Sequence, residues 1–390
     1  VTYLSRTAKL GIAPETTDAT WTPPAFTIPF EQGTRFRDQI IQLHDTTIRA
    51  SDVVEDQDLQ QGPRWTEWTV NTLGYADWAG FLLRGMVGPD QFTPGVVTTF
   101  TAGSAPGAVS VSLAAAPPAG AVLQLGTGTT LEYAQAGTPT GAGPYTVPLT
   151  APAGGLRYAH QAGNAAQSQA VHLFQQNRPV GPLPPSWSLT TDDGVETLGW
   201  PGCILGALTI RVTADDRVSF ATTWNGYPPV TEATFTENES TVQAPSGWGW
   251  RITTAGGTST RGLTLDLTLA RALDVVRCAG QQTPLVIVPG PLKTTAAYRA
   301  LFDTAADLNL YRQALQQPAV WTFAQPLGLG AASIQVTLTR SGWTDGAVSL
   351  DTPYVTAGFK LAGIANTTDS PHSGVAQVQL ANFVQAQYGP

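Results

Sequence analysis

The sequence predicts a mainly β protein, with two tandem β-sandwich or barrel domains, each carrying one helix, and a small inserted all-β domain. Three observations carry this prediction. Gly (40) and Pro (30) are abundant while only 12% of the 390 residues are charged, a profile of many strands joined by turns. A short layout appears twice: Asp52-Val53-Val54, a Gly62-Pro63 turn and an amphipathic stretch are echoed by Asp274-Val275-Val276, Gly290-Pro291 and a second amphipathic stretch. Ala170-Val171 is similarly echoed by Ala319-Val320. The first pair of motifs is 222 positions apart and the second 149, and the 73-position difference marks an insertion in the first copy.

Taken in order, residues 1–30 read as an irregular arm, because Gly11, Pro14, Pro23, Pro24 and Pro29 forbid a long regular element. Residues 35–61 read as strands around a charged hairpin tip, Ser51 to Asp58. Trp65 to Val70 alternates as a strand does. Tyr75, Trp78, Ala79, Leu82, Leu83 and Met86 recur at helical spacing, and Gly88-Pro89 stops that helix. Between 91 and 169 the only charges are Glu132 and Arg157, and short Val/Leu pulses between turns define a module of about 70–80 residues, near the lower size limit for independent folding. From Ala170 the first pattern resumes, with strands at Trp187–Leu189, Ile204–Val212 and Val218–Trp224. The second copy has Leu263 to Leu269 as a strand, Ala305 to Leu315 as a helix, and strands at 319–325, 333–340 and 354–363. The domains are therefore 1–90 with 170–235, the insert 91–169, and 236–390.

Chemistry leaves little trace. His44, His160, His172 and His372 fall in different elements without metal-ligand spacing. Asp56 and Asp58 alternate, but the central Gly and bidentate Glu of a calcium loop are missing. No GxSxG elbow or phosphate-binding Gly-Lys-Ser/Thr loop is present, and no pair of carboxylates stands out. Cys203 and Cys278, the only cysteines, have no metal or redox spacing. The expectation is a non-enzyme without cofactor or metal. A formal net charge of −8 disfavours general nucleic-acid binding, and no run approaches the roughly 18 apolar residues of a membrane span. No leader is recognisable, so synthesis in a cytosol is expected.

Several strings carry a family resemblance: Ala8-Lys9-Leu10-Gly11-Ile12-Ala13-Pro14-Glu15-Thr16-Thr17, Trp21-Thr22-Pro23-Pro24, Phe26-Thr27-Ile28-Pro29-Phe30, Gly141 to Pro148, Trp200-Pro201-Gly202-Cys203 and Ile364 to Asp369. In this order they resemble tail tube (major tail) proteins of long-tailed bacteriophages. The resemblance implies tail-tube-type β domains that self-assemble into stacked rings, a virion protein made in the host bacterium, and passage of double-stranded DNA through the channel. Its partners would be other copies of itself, the tape measure protein, and the tail terminator and distal tail proteins. With two units per chain, a trimeric pseudo-sixfold ring is preferred to a hexamer. Residues 1–34, 51–62 and 236–260 are the candidates for inter-ring contact, with Trp21, Asp52, Glu55, Asp56, Asp58, Trp248 and Trp250 singled out. A lumen that releases DNA should be neutral or negative. The rival reading is a receptor- or carbohydrate-binding tail or fibre protein that uses exposed Trp and the insert.

Overall fold

The computed structural model describes residues 8–46, 58–176, 184–231, 235–240, 242–254, 257–350, 353–366 and 374–389. The chain is mainly β. Its first part runs β1 (Lys9–Pro14), β2 (Phe26–Thr27), β3 (Arg35–His44), β4 (Leu59–Leu73), α1 (Ala79–Met86) and β5 (Asp90–Thr93). Then come β6 (Val97–Thr99), β7 (Ser110–Leu113), β8 (Val122–Leu125), β9 (Glu132–Ala136), β10 (Tyr145–Ala151) and β11 (Ala165–Ser168). These six form a separate sheet around Phe100, Val111, Leu113, Leu123, Leu125 and Val147, a core of their own.

The chain continues through β12 (Ala170–Gln175), β13 (Trp187–Asp192), β14 (Thr197–Thr213), β15 (Ser219–Gly226) and β16 (Val230–Thr231). Its last part holds β17 (Trp250–Thr254), β18 (Gly257–Ser259), β19 (Gly262–Ala270), β20 (Leu273–Val276), β21 (Val286–Pro289) and β22 (Lys293–Leu301). After α2 (Ala306–Arg312) follow β23 (Gln316–Ala324), β24 (Ser333–Ser349), β25 (Thr356–Gly363) and β26 (Gln377–Asn382).

Eight of these strands make one antiparallel wall in the order β3-β4-β15-β14-β19-β22-β25-β24. Period-two alternation buries one face: Trp68, Val70, Phe220, Trp224, Ile210, Leu267, Tyr298 and Phe359 all point inward. Over that face lie the helices and two outer sheets, β2-β1-β13-β14-β16 and β18-β17-β23-β24-β26-β12-β5. The 17-residue strands β14 and β24 belong to both layers. Each crosses from outer sheet to wall at a register shift, between Leu205 and Ala207 in one and between Trp343 and Asp345 in the other. Strands that turn such corners do so at bulges.

The duplication is thus visible in the pairing, but its bounds differ from the sequence prediction. The counterpart of β23 is β13, because Leu189 faces Trp200 and Ala319 faces Leu338, each just past a register shift. Ala170–Gln175 instead fills the gap between β5 and β26, so its likeness to Ala319–Gln325 is not structural equivalence. The insertion length deduced from that likeness falls with it. Asp52-Val53-Val54 lies outside the described residues. The second helix is shorter than the predicted 305–315: Ala314 takes a left-handed φ of 52°, and Leu315 is exposed.

Candidate functional site

The wall has one face covered by its own chain and one face open. Its centre is the β14–β19 seam, where seven residue pairs from Ala207↔Ala270 to Thr213↔Thr264 join the two four-stranded halves. Ile210 and Leu267 meet there on the covered side, both fully buried. On the open side Thr209 and Thr268 share a 3.0 Å hydrogen bond, and Arg211 lies 3.6 Å from Asp266.

Thr, Ala, Ser and Asn dominate the open face. Lys293 and Lys360, two of the chain's three lysines, project from it with Arg35, Arg37, Arg211 and Arg299, against Glu67, Asp266 and Asp345. Six cations against three anions leave this surface net positive, unlike the neutral or negative surface expected of a conduit. The cations do not form a continuous lining. Lys360 is paired to Asp345 at 3.0 Å, Arg211 neighbours Asp266, Arg37 faces Glu67, and Thr295 and Ala297 separate Lys293 from Arg299. Such exposed pairs hold little energy, but they lower the local field.

Both ends of the wall are sheet edges. Among the described residues β3 pairs only with β4, and β24 beyond Gly342 pairs only with β25. Unpaired strand edges template further strands, and proteins ordinarily cover or blunt them. At one rim the hairpins stand together. The loop after β20 leans on β4: Arg64 N–H donates to the Gln282 carbonyl at 2.8 Å, Gln282 Nε2 donates to the Gln61 carbonyl at 3.0 Å, and Arg277 stacks 4.1 Å from the Trp65 ring.

Four of the residues singled out for inter-ring contact are described, and they differ in exposure. Asp52, Glu55 and Asp56 lie outside the described residues. Asp58 sits exposed at the base of the β3–β4 hairpin, accepting hydrogen bonds from Leu59 N–H and Gln60 Nε2. Trp248 is 68% exposed in a short turn beside β17. Trp250, in contrast, is a core residue: its indole packs directly over Gly262, where a Cβ would collide with the ring. Trp21 is half-buried against its own chain, donating to Thr190 Oγ1 at 3.2 Å and covering Gly199.

The described part of the arm, residues 8–34, likewise docks at home rather than extending away. β1 pairs with β13, Lys9 forms an ion pair with Glu237, and Thr27 N–H donates to the Asn238 carbonyl. The buried Glu15 carboxylate ties this together by accepting from Ser188 Oγ (2.7 Å), Gly202 N–H (2.8 Å) and Ala19 N–H (3.0 Å). Burial pushes its pKa above the usual carboxylate range, against those hydrogen bonds. Sequence reasoning did not single out Glu15, since one Glu in a Pro-rich arm carries no local signal of burial.

Other buried ionisable groups have structural partners. In the insert Glu132 accepts from Arg157 N–H, Tyr158 N–H and faces His160 Nε2 at 2.7 Å. Asp90 faces His172 Nδ1 at 2.8 Å and accepts from Tyr388 N–H. Cys203 is buried, which raises its thiol pKa, and Cys278 is exposed. Among the described residues no group of three His, Cys, Asp or Glu could hold a metal, and no helix is long and apolar enough to cross a membrane.

The described residues thus make a long wall with a small-residue face and two open edges. A family model described as phage tail tube protein matches residues 5–360, and the chain belongs to that family. The family is structural rather than a class of enzyme, and it places the protein in the phage tail. No curated protein matches the chain.

Proposed function

We propose that three copies close a pseudo-sixfold ring, that rings stack into the tail tube, and that DNA passes through it into the host. One observation carries this reading: each chain already contains two four-stranded walls joined edge to edge, with both outer edges open. Head-to-tail repetition of one such contact closes a ring if the rotation is right, and closure pairs both edges of the wall. The covered face carries helices and outer sheets, so the open face lines the channel. Interspersed carboxylates and Thr keep its cations from forming a continuous phosphate-binding track.

The insert sits on the opposite side. The Tyr133 ring lies tilted 5.5 Å from Phe383, and Gln169 Nε2 donates to the Gly330 and Ala331 carbonyls beside β26. The separate sheet of the insert, from β6 to β11, therefore projects from the tube's exterior as decoration, while residues 91–93 of the predicted insert belong to β5 in the outer sheet. The adjoining hairpin ends, with Asp58, and exposed Trp248 are the surfaces left for the next ring. The tape measure protein would occupy the channel before DNA does, with terminator and distal tail proteins at the ends.

Electron microscopy of the purified protein tests the reading. Rings or tubes with threefold symmetry and six similar lobes, at the native mass of three chains, are expected. Six-chain rings would overturn the trimer, and discrete monomers with glycan affinity would favour a receptor-binding protein.

A further inference from the structure

The two halves of the wall repeat one another in register. A row of paired residues crosses the first half of the wall, Leu205–Trp224–Trp68–Phe36, starting just before the β14 register shift. An equivalent row crosses the second half, Trp343–Leu361–Ala296–Leu267, starting just before the β24 shift. Neither row contains a register irregularity between its ends. Phe36 therefore stands where Leu267 stands. Counting five residues along the long strands, Val348 stands where Ile210 stands.

Building on the ring reading above, we propose that residues 345–350 pair antiparallel with residues 34–39 of a second copy, placing Val348 opposite Phe36, Ala347 opposite Arg37 and Asp345 opposite Gln39. This repeats the Ile210↔Leu267 register of the β14–β19 seam.

Burial supports the pairing. Ile210, Leu267 and Val212 are buried, whereas their counterparts Val348 (39%), Phe36 (47%) and Leu350 (74%) are exposed large apolar side chains. Phe36 lies on the covered side, its ring 5.1 Å from Trp68 and 5.3 Å from Trp200. It completes a core that lacks only the next strand. On the open side Arg37 would come diagonal to Asp345, a spacing that long side chains bridge across a sheet. A second copy is the occupant that fits, because it brings the matching edge in the matching register.

Cysteine cross-linking tests this in a Cys278→Ser background, since Cys203 is buried. Phe36→Cys with Val348→Cys should oxidise into a covalent ladder ending at the closed ring, whereas Phe36→Cys with Leu350→Cys, two residues out of register, should cross-link much less. Val348→Asp should keep the monomer's thermal transition and lose the rings. Intact rings that cross-link preferentially through the 36/350 pair would overturn the register while leaving the ring reading standing. Rings that persist in Val348→Asp would overturn the apolar pairing. If the unmodified protein forms neither rings nor tubes under the microscope, the ring reading itself fails.

Discussion

The two halves share a wall but not a cover. In the first half, six of the eight residues of α1 are buried, while α2 in the second half buries only Leu308 and Leu310 of seven. The difference comes from the C-terminal segment. Tyr388 lies flat against Gly80, its ring 5.1 Å from Phe81, and its hydroxyl donates to the Asp77 carbonyl at 2.6 Å while accepting from Asn382 Nδ2 at 2.7 Å. The end of the second half therefore clamps the helix of the first. Among the described residues nothing comparable closes over α2, whose Tyr311 remains half-buried beside Gly346. The two halves meet edge to edge through their wall strands, whereas their outer layers pack against different segments of the chain.

Truncating the clamp should give the largest effect. Tyr388→Ala is expected to cost about 3–5 kcal/mol, as for other large buried side chains, with Tyr311→Ala well below it in the same chemical denaturation series. Equal losses would break the comparison. Next come the glycines beneath the rings. Gly80→Ala has no room without displacing Tyr388 and should cost about 1–3 kcal/mol. At Gly346 a Cβ would stand 3.0 Å from a half-exposed Tyr311 that can swing away, so the thermal midpoint should move less.

The insert offers an intermediate test. Glu132→Ala strands the Arg157 and Tyr158 N–H groups and should destabilise by about 1–3 kcal/mol. Because the insert has its own core, calorimetry should show an early transition confined to it, with ring formation intact. A single cooperative shift of the whole chain would show that the insert does not unfold separately.

Glu15 sharpens the comparison through pH. Its folded pKa lies above the unfolded value, so its contribution is fully present below the unfolded pKa and fades as pH rises through the folded one. Urea unfolding should therefore show the wild type gaining on Glu15→Gln as pH falls from neutral to mildly acidic. The opposite slope would mean that the hydrogen bonds outweigh burial. Smallest of all, Asp266→Asn at the exposed face of the seam should change stability by less than about 1 kcal/mol, since the pair with Arg211 is solvated.

Much of this was readable locally. Alternation marked β4, β19 and the strands of the insert, and the spacing of Ala79, Leu82, Leu83 and Met86 marked α1 with the face it buries. The insert was visible as a stretch almost free of charge, and its core is indeed built from the Val/Leu pulses. Other features were hidden for a definite reason. Trp248 and Trp250 are two residues apart in the same Gly-rich text, yet one is exposed and the other lies over Gly262, a contact made by a strand that comes later in the chain. The arm's prolines predicted irregularity, and no local pattern disclosed that β13, more than 170 positions on, would receive it.

By itself the sequence determined that this is a β protein, and it predicted a duplicated layout interrupted by an uncharged module. These properties live in composition and in periods of two and 3.6 residues, which neighbouring residues alone express. Only the tertiary structure decided which strand answers which, that β14 joins β19, and that β3 and β24 are left as matching edges. Strand pairing is a choice among distant partners, and side-chain alternation is the same whichever partner is taken. The fold makes that choice inside the chain, at the β14–β19 seam.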